Sequence, residues 1–287
     1  MAGMKGFDTI VMVDWSARSK PSPAKPTKDA IFVGISRNGR EAVTYHRTRH
    51  AAMRALTGLL DGELRAGRRV LAGFDFPFGY PRSFARAVCG SDDPLNLWAY
   101  LDDVIEDDKA NGNNRFDVAE GLNRLFPGVG PFWGCPAARE TDTLPAKGTA
   151  RHGHGMPERR AVERELPRAQ PCWKLFTTGS VGSQVLLGLP HLHNLRQRYG
   201  DTLSVSPFQS PDTPIVLAEI YPGLIDATIK ARLREDEILD AAQVRLVARA
   251  FSRLDPAHLN NLLQEGDAEE GWILGLGDED ALIAGLN

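Results

Sequence analysis

Four acidic residues stand where carboxylates could do chemistry together. Asp14, Asp75 and Glu219 each fall at or next to the C-terminal end of an apolar, β-branched run, in TIVMVD, RVLAGFD and PIVLAEI. In open α/β sheets ligands bind beyond the carboxyl ends of the strands, so three such runs lying as parallel neighbours would bring their acids to one place. Carboxylates packed together raise one another's pKa, and a cluster without basic partners calls for a cation. All-oxygen ligands select a hard ion, Mg²⁺ or Mn²⁺ in an enzyme of this kind. Asp240 is the best fourth ligand: it lies one turn beyond Asp236 on an expected helix whose Ile238, Leu239, Ala242, Leu246 and Ala250 would face a sheet. Residues so placed would make a hard-metal site.

The elements that must position these acids are read from hydrophobic period and turn signals. Residues 8–14, 30–36 and 41–46 read as strands, the last two joined across Asn38-Gly39, a strong hairpin signal. Residues 49–66 have apolar positions at helical spacing, and 69–75 form a fourth strand. After the breaker Phe76-Pro77-Phe78-Gly79-Tyr80-Pro81, a long stretch to about 210 carries helical patches near 82–89, 94–108, 115–125 and 182–199. It reads as a mostly helical insertion, 82–210, within one domain spanning 1–287. Residues 214–220 then restore a buried strand, followed by helices over about 222–233 and 236–254. The order is β-β-β-α-β, insertion, β-α.

The opening VMVDWSAR with a following KDAI, the strand end GFDFPFGYP, and the segments KLFTTGSVGSQVLLGLP, AEIYPGL, DEILDAA and EGWILG resemble domain-of-unknown-function family 429, a group of predicted RNase H-like nucleases. The resemblance spans nearly the whole chain. It implies an α/β fold with a mixed five-stranded RNase H-like sheet, three antiparallel strands followed by parallel ones. It also implies that Asp14, Asp75, Glu219 and Asp240 are the catalytic, metal-holding acids, and that the products are a 5′-phosphate and a 3′-hydroxyl. Some relatives carry labels tied to molybdopterin guanine dinucleotide synthesis. Trp15, bulky beside the first acid, and Phe76-Pro77 after the second depart from an open site.

Other residues suggest phosphate or base recognition. Gly179, Ser180, Gly182 and Ser183 precede or open a helix and could cradle phosphate with backbone N–H groups, while Lys174 and Trp173 could add a cation and a stacking face. No lysine follows the glycine, so this is not a Walker loop. His152 and His154, in RHGHG, are candidate general bases. The net charge of −3 conceals a local +4 over residues 16–28, a +3 over 139–174 and a −8 over 254–287. The first loop can therefore hold phosphate locally, although the chain as a whole would not coat itself with nucleic acid. Cys89, Cys135 and Cys172 are odd in number, far apart and without a C-x-x-C pair, which argues for structural thiols and against zinc. Nothing in the opening residues reads as a signal peptide or membrane span, so a cytoplasmic protein is the default expectation.

The leading expectation is a metal-dependent nuclease or phosphodiesterase acting on nucleic acid or a nucleotide derivative. Two others stand beside it. One is an ATP-dependent phosphotransferase of the related actin-like fold, lowered by the absence of glycine in Asp14-Trp15-Ser16-Ala17-Arg18. The other is a non-catalytic nucleotide-binding protein.

Overall fold

The run that ends in Asp14 forms strand β1 (Thr9–Asp14), near the middle of the sheet in the computed structural model, which describes residues 6–287. Ile10 and Met12 face one side and Val11 and Val13 the other, and all four are buried. Covering both faces removes any need for a polar alternation, which is why the run is continuously apolar. Strand β2 (Ile31–Arg37) is antiparallel to β1, and β3 (Arg40–His46) returns antiparallel to β2. Asn38 and Gly39 take φ of 52° and 73° at that turn, the left-handed pair that a two-residue hairpin requires. Helix α1 (Arg49–Arg65), capped by the Thr48 hydroxyl accepting from the Ala51 N–H, leads to β4 (Val70–Phe74), parallel to β1.

Between β4 and the next long strand run α2 (Phe84–Cys89), α3 (Pro94–Val104), α4 (Arg115–Asn123), α5 (Ala161–Glu165) and α6 (Gly182–Tyr199). A three-residue strand, β5 (Leu203–Val205), comes before β6 (Ile215–Glu219), which is parallel to both β4 and β5. The sheet order is β3-β2-β1-β4-β6-β5. It has six strands where the sequence reading has five. The sixth, Leu203–Val205, is too short to carry a period of its own and exists through its pairing with β6.

A 3₁₀ turn over Pro222–Ile225, α7 (Asp226–Ala231), α8 (Leu239–Ser252), α9 (Pro256–Leu262) and α10 (Glu279–Ala284) complete the chain. The expectation that Asp236 and Asp240 share a helix is corrected. Asp236 has φ of 58°, which no right-handed helix accommodates, and α8 begins only at Leu239.

Two cores flank the sheet. Val13, Ala72, Phe74 and Leu217 pack with α1 and α6 on one face. Met12, Phe32, Leu71 and Val216 pack with Ala242, Leu246 and Ala250 of α8 on the other. Each such side chain, fully buried, contributes about 1.5–3 kcal/mol relative to exposure. Gly34 sets how closely α8 approaches: a Cβ there would overlap the Val244 carbonyl. All three cysteines are free thiols, with Cys135 and Cys172 buried. Among the described residues no helix is long and apolar enough to cross a membrane.

Candidate functional site

Parallel register brings the first two acids together. Val13 pairs with Phe74, so Asp14 and Asp75 leave adjacent strands at the same sheet edge, tied by the Asp75 N–H donating to the Val13 carbonyl at 3.2 Å. The Trp15 N–H donates to Asp75 Oδ1 at 2.7 Å. Asp240, in the first turn of α8, accepts from the Asp29 N–H at 2.7 Å through Oδ2. Thus β1, β4 and α8 each deliver one carboxylate to a common cleft.

The electrostatics follow from that convergence. Burial, and then the charges of Asp75, Asp240 and Asp29, push the Asp14 carboxyl well above the ordinary carboxylate range. Burial also lifts Asp75 to about 7, against the opposing pull of the Trp15 N–H. Asp240 is raised as well, chiefly by burial. None of the described residues donates a hydrogen bond to the Asp14 side chain. Asp75 and Asp240 each give one oxygen to a neighbouring residue's N–H and keep the second. Asp29, just before β2, belongs to this cluster and was missed from the sequence because nothing local sets an acid in a loop apart.

Glu219 ends β6 as expected and lines the same cleft, but both of its oxygens are engaged. Arg160 donates to Oε1 at 2.6 Å and to Oε2 at 2.8 Å, and the Phe78 N–H adds a third bond to Oε2 at 3.0 Å. Arg160 also donates to Glu163 at 2.8 Å and to the Glu270 carbonyl at 3.0 Å. These groups are buried, so the pair neutralises Glu219 and locks the turn after β4 to the segment around 270. Among the described residues, no three His, Cys, Asp or Glu side chains stand as a group that could hold a metal ion.

The cleft has a volume of about 970 Å³, room for a nucleotide-sized ligand. Gly179, Ser180 and Ser183 line it. Gly182 instead packs against the Cys172 carbonyl. Lys174 donates to the Thr178 carbonyl at 2.6 Å and so braces the loop rather than lining the cleft. Trp173 is wholly buried among Tyr80, Phe84 and Phe132 and offers no stacking face. His152 and His154 lie outside the cleft lining. Much of the positive charge over 139–174 is spent internally: Arg139 pairs with Asp117, Arg151 with Glu158 and Arg160 with Glu219. The first loop, by contrast, places Arg18 and Lys28 on the cleft wall, joined there by Arg115 of α4.

Behind Trp15 lies a second buried ion pair. Arg49, fully buried, donates to Asp107 at 2.7 and 2.5 Å and to the carbonyls of Ser16 and Arg18 at 3.0 and 2.8 Å. His191 faces the same carboxylate at 3.0 Å. This network pins the loop that follows Asp14. Comparison of the chain with models of protein families, with curated proteins and with solved structures found no match. Function is therefore read from the site's own geometry.

Proposed function

We propose that the protein is a divalent-metal-dependent phosphodiesterase with an RNase H-like core, acting on nucleic acid or a nucleotide derivative. The observation that carries this reading is the meeting of Asp14, Asp75 and Asp240 from two adjacent parallel strands and a helix, with no hydrogen-bond donor on Asp14 among the described residues. The order β3-β2-β1-β4-β6, with β2 antiparallel, agrees with such a core.

The residue types suit a hard cation. Among the described residues Asp14 has both oxygens free of hydrogen-bond donors, and Asp75 and Asp240 keep one oxygen each, an all-oxygen set of the kind that Mg²⁺ and Mn²⁺ prefer. A bound Mg²⁺ or Mn²⁺ would acidify a water and neutralise charge on the phosphoryl oxygens. Glu219 is assigned a positioning role instead of a ligand's, because Arg160 occupies both of its oxygens. Hydrolysis would add the water oxygen to phosphorus and break the bond to the 3′-oxygen, leaving a 5′-phosphate and a 3′-hydroxyl. A second reading, a nucleotide-binding protein without catalysis, draws on one observation, the neutralisation of Glu219.

Calorimetric titration of Mg²⁺ and Mn²⁺ into the protein and into an Asp14→Asn/Asp75→Asn variant, followed by incubation with labelled single strands, duplexes and dinucleotides, separates the two. Metal binding and cleavage lost together in the variant support the phosphodiesterase. Absence of metal binding to the unaltered protein, with nucleotide present, leaves the binding protein.

A further inference from the structure

The carboxylates occupy one part of the cleft, and a cation of unusual standing lines it elsewhere. Arg115, at the start of α4, is only 7% exposed, yet no carboxylate pairs with it among the described residues. Its Nη1 donates to Ser19 Oγ and Asn113 Oδ1, both at 2.8 Å, and its guanidinium lies 4.4 Å from the centre of the Phe116 ring. Its Nε is buried without a hydrogen-bond partner among the described residues. A guanidinium largely removed from water without a paired carboxylate is costly, and the groups that repay it are planar or tetrahedral oxyanions. The other buried arginines of this region show the contrast: Arg49 is paired with Asp107 and Arg160 with Glu219.

Its setting also suits phosphate. Arg18 and Lys28 line the same cleft, and so does the loop Phe176-Thr177-Thr178-Gly179-Ser180 before the N-terminus of α6. Phe176 is 40% exposed and meets Phe116 edge-on at 6.4 Å between ring centres, so an apolar face stands beside the cation. Asp14 and Ser19 are five residues apart, so their Cα atoms lie within about 18 Å of one another, and the acids and this wall line one cleft.

Resting on the phosphodiesterase reading, we propose that Arg115, with Arg18 and Lys28, forms a second phosphate subsite, so that the substrate carries a non-scissile phosphate in addition to the one cleaved at the aspartates. Two sources share this chemistry: an oligonucleotide, in which water displaces the 3′-oxygen, and a dinucleotide joined through pyrophosphate, in which water adds to one phosphorus and the second phosphate leaves with the bridging oxygen.

The test is calorimetry without metal, so that nothing is turned over. The probes are thymidine dinucleotide, its 5′-phosphorylated form and a pyrophosphate-linked dinucleotide. The extra phosphate is expected to tighten binding about tenfold to the unaltered protein and to Asp14→Asn/Asp75→Asn, to give no gain with Arg115→Met, and to recover in part with Arg115→Lys. Equal affinity for the two thymidine dinucleotides, or a gain that survives Arg115→Met, overturns the subsite. Should Arg115→Met not fold by circular dichroism, the unaltered protein and Arg115→Lys still decide. Preference between the phosphorylated and pyrophosphate-linked probes distinguishes the two sources. Cleavage without this discrimination removes the subsite alone, whereas discrimination without metal-dependent cleavage removes the phosphodiesterase alone.

Discussion

Asp14 shares its surroundings with Asp29, Asp75 and Asp240, and this crowding sets the behaviour of single residues. Asp14→Asn removes a charge that burial and three neighbours oppose, so it is expected to raise stability by about 0.5–2 kcal/mol, read as a higher melting temperature at pH 8. The same change should lower metal-dependent cleavage by at least about 100-fold. A gain in stability coupled to a loss of activity marks a functional carboxylate; a loss of both would mean that Asp14 is structural. Glu219→Ala should do the opposite for stability. It removes one of the two carboxylates paired with Arg160 in the interior, leaving Glu163, and is expected to cost about 3 kcal/mol by urea denaturation, with Glu219→Gln milder because the amide oxygen still accepts from Arg160. The three aspartates were legible in the sequence because each interrupts or adjoins an apolar run. The fate of Glu219 was not, since its partner lies 59 positions away in a stretch with no local signal. Arg115 escaped for a related reason: what distinguishes it is the carboxylate it lacks, and a lack of pairing is visible only in three dimensions.

Among the elements, α8 supplies Asp240, and its distance from the sheet is fixed by Gly34. Gly34→Ala forces the helix outward by overlap with the Val244 carbonyl, so a cost of about 1–3 kcal/mol is expected, together with reduced metal affinity in titration calorimetry as Asp240 retreats from Asp14 and Asp75. Unchanged metal affinity in a folded Gly34→Ala protein would remove Asp240 from the ligand set. Most elements could be read beforehand where a physical rule acts locally. Asn38-Gly39 specified its hairpin, and apolar spacing specified α1, α6 and most of α8. Two features depended on distant contacts and were missed. β5 is held by β6 rather than by its own three residues, and the left-handed Asp236 starts α8 three residues later than the periodicity suggested.

At the scale of the whole molecule, buried ion pairs fasten α1 to the sheet and to the segment around Asp107 and govern the response to acid. Burial raises the Asp107 carboxyl, but the Arg49 and His191 hydrogen bonds outweigh it and hold the group at about 2. Glu63 is held at about 2 first by Arg68, with Thr9 and Arg37 assisting against burial. Both are depressed relative to the unfolded chain, so their stabilisation is complete above about pH 4.5 and is lost as pH falls toward 2. Urea midpoints measured from pH 6 to pH 2 should therefore fall steeply below pH 4.5, and the fall should be shallower in Glu63→Gln. Asp107→Asn, which leaves the buried Arg49 without its counter-charge, should cost about 3–5 kcal/mol at neutral pH.

The division of the three aspartates among β1, β4 and α8 also orders events during synthesis. Asp14 and Asp75 leave the ribosome before Asp240, which follows Asp75 by 165 positions. Until then the sheet lacks the helix that covers its second face, so the first two acids have neither their neighbour nor that wall of the cleft. On the phosphodiesterase proposal, the nascent chain would stay inert toward the messenger RNA beside it until α8 has emerged and docked, its activity withheld by nothing more than the order of translation.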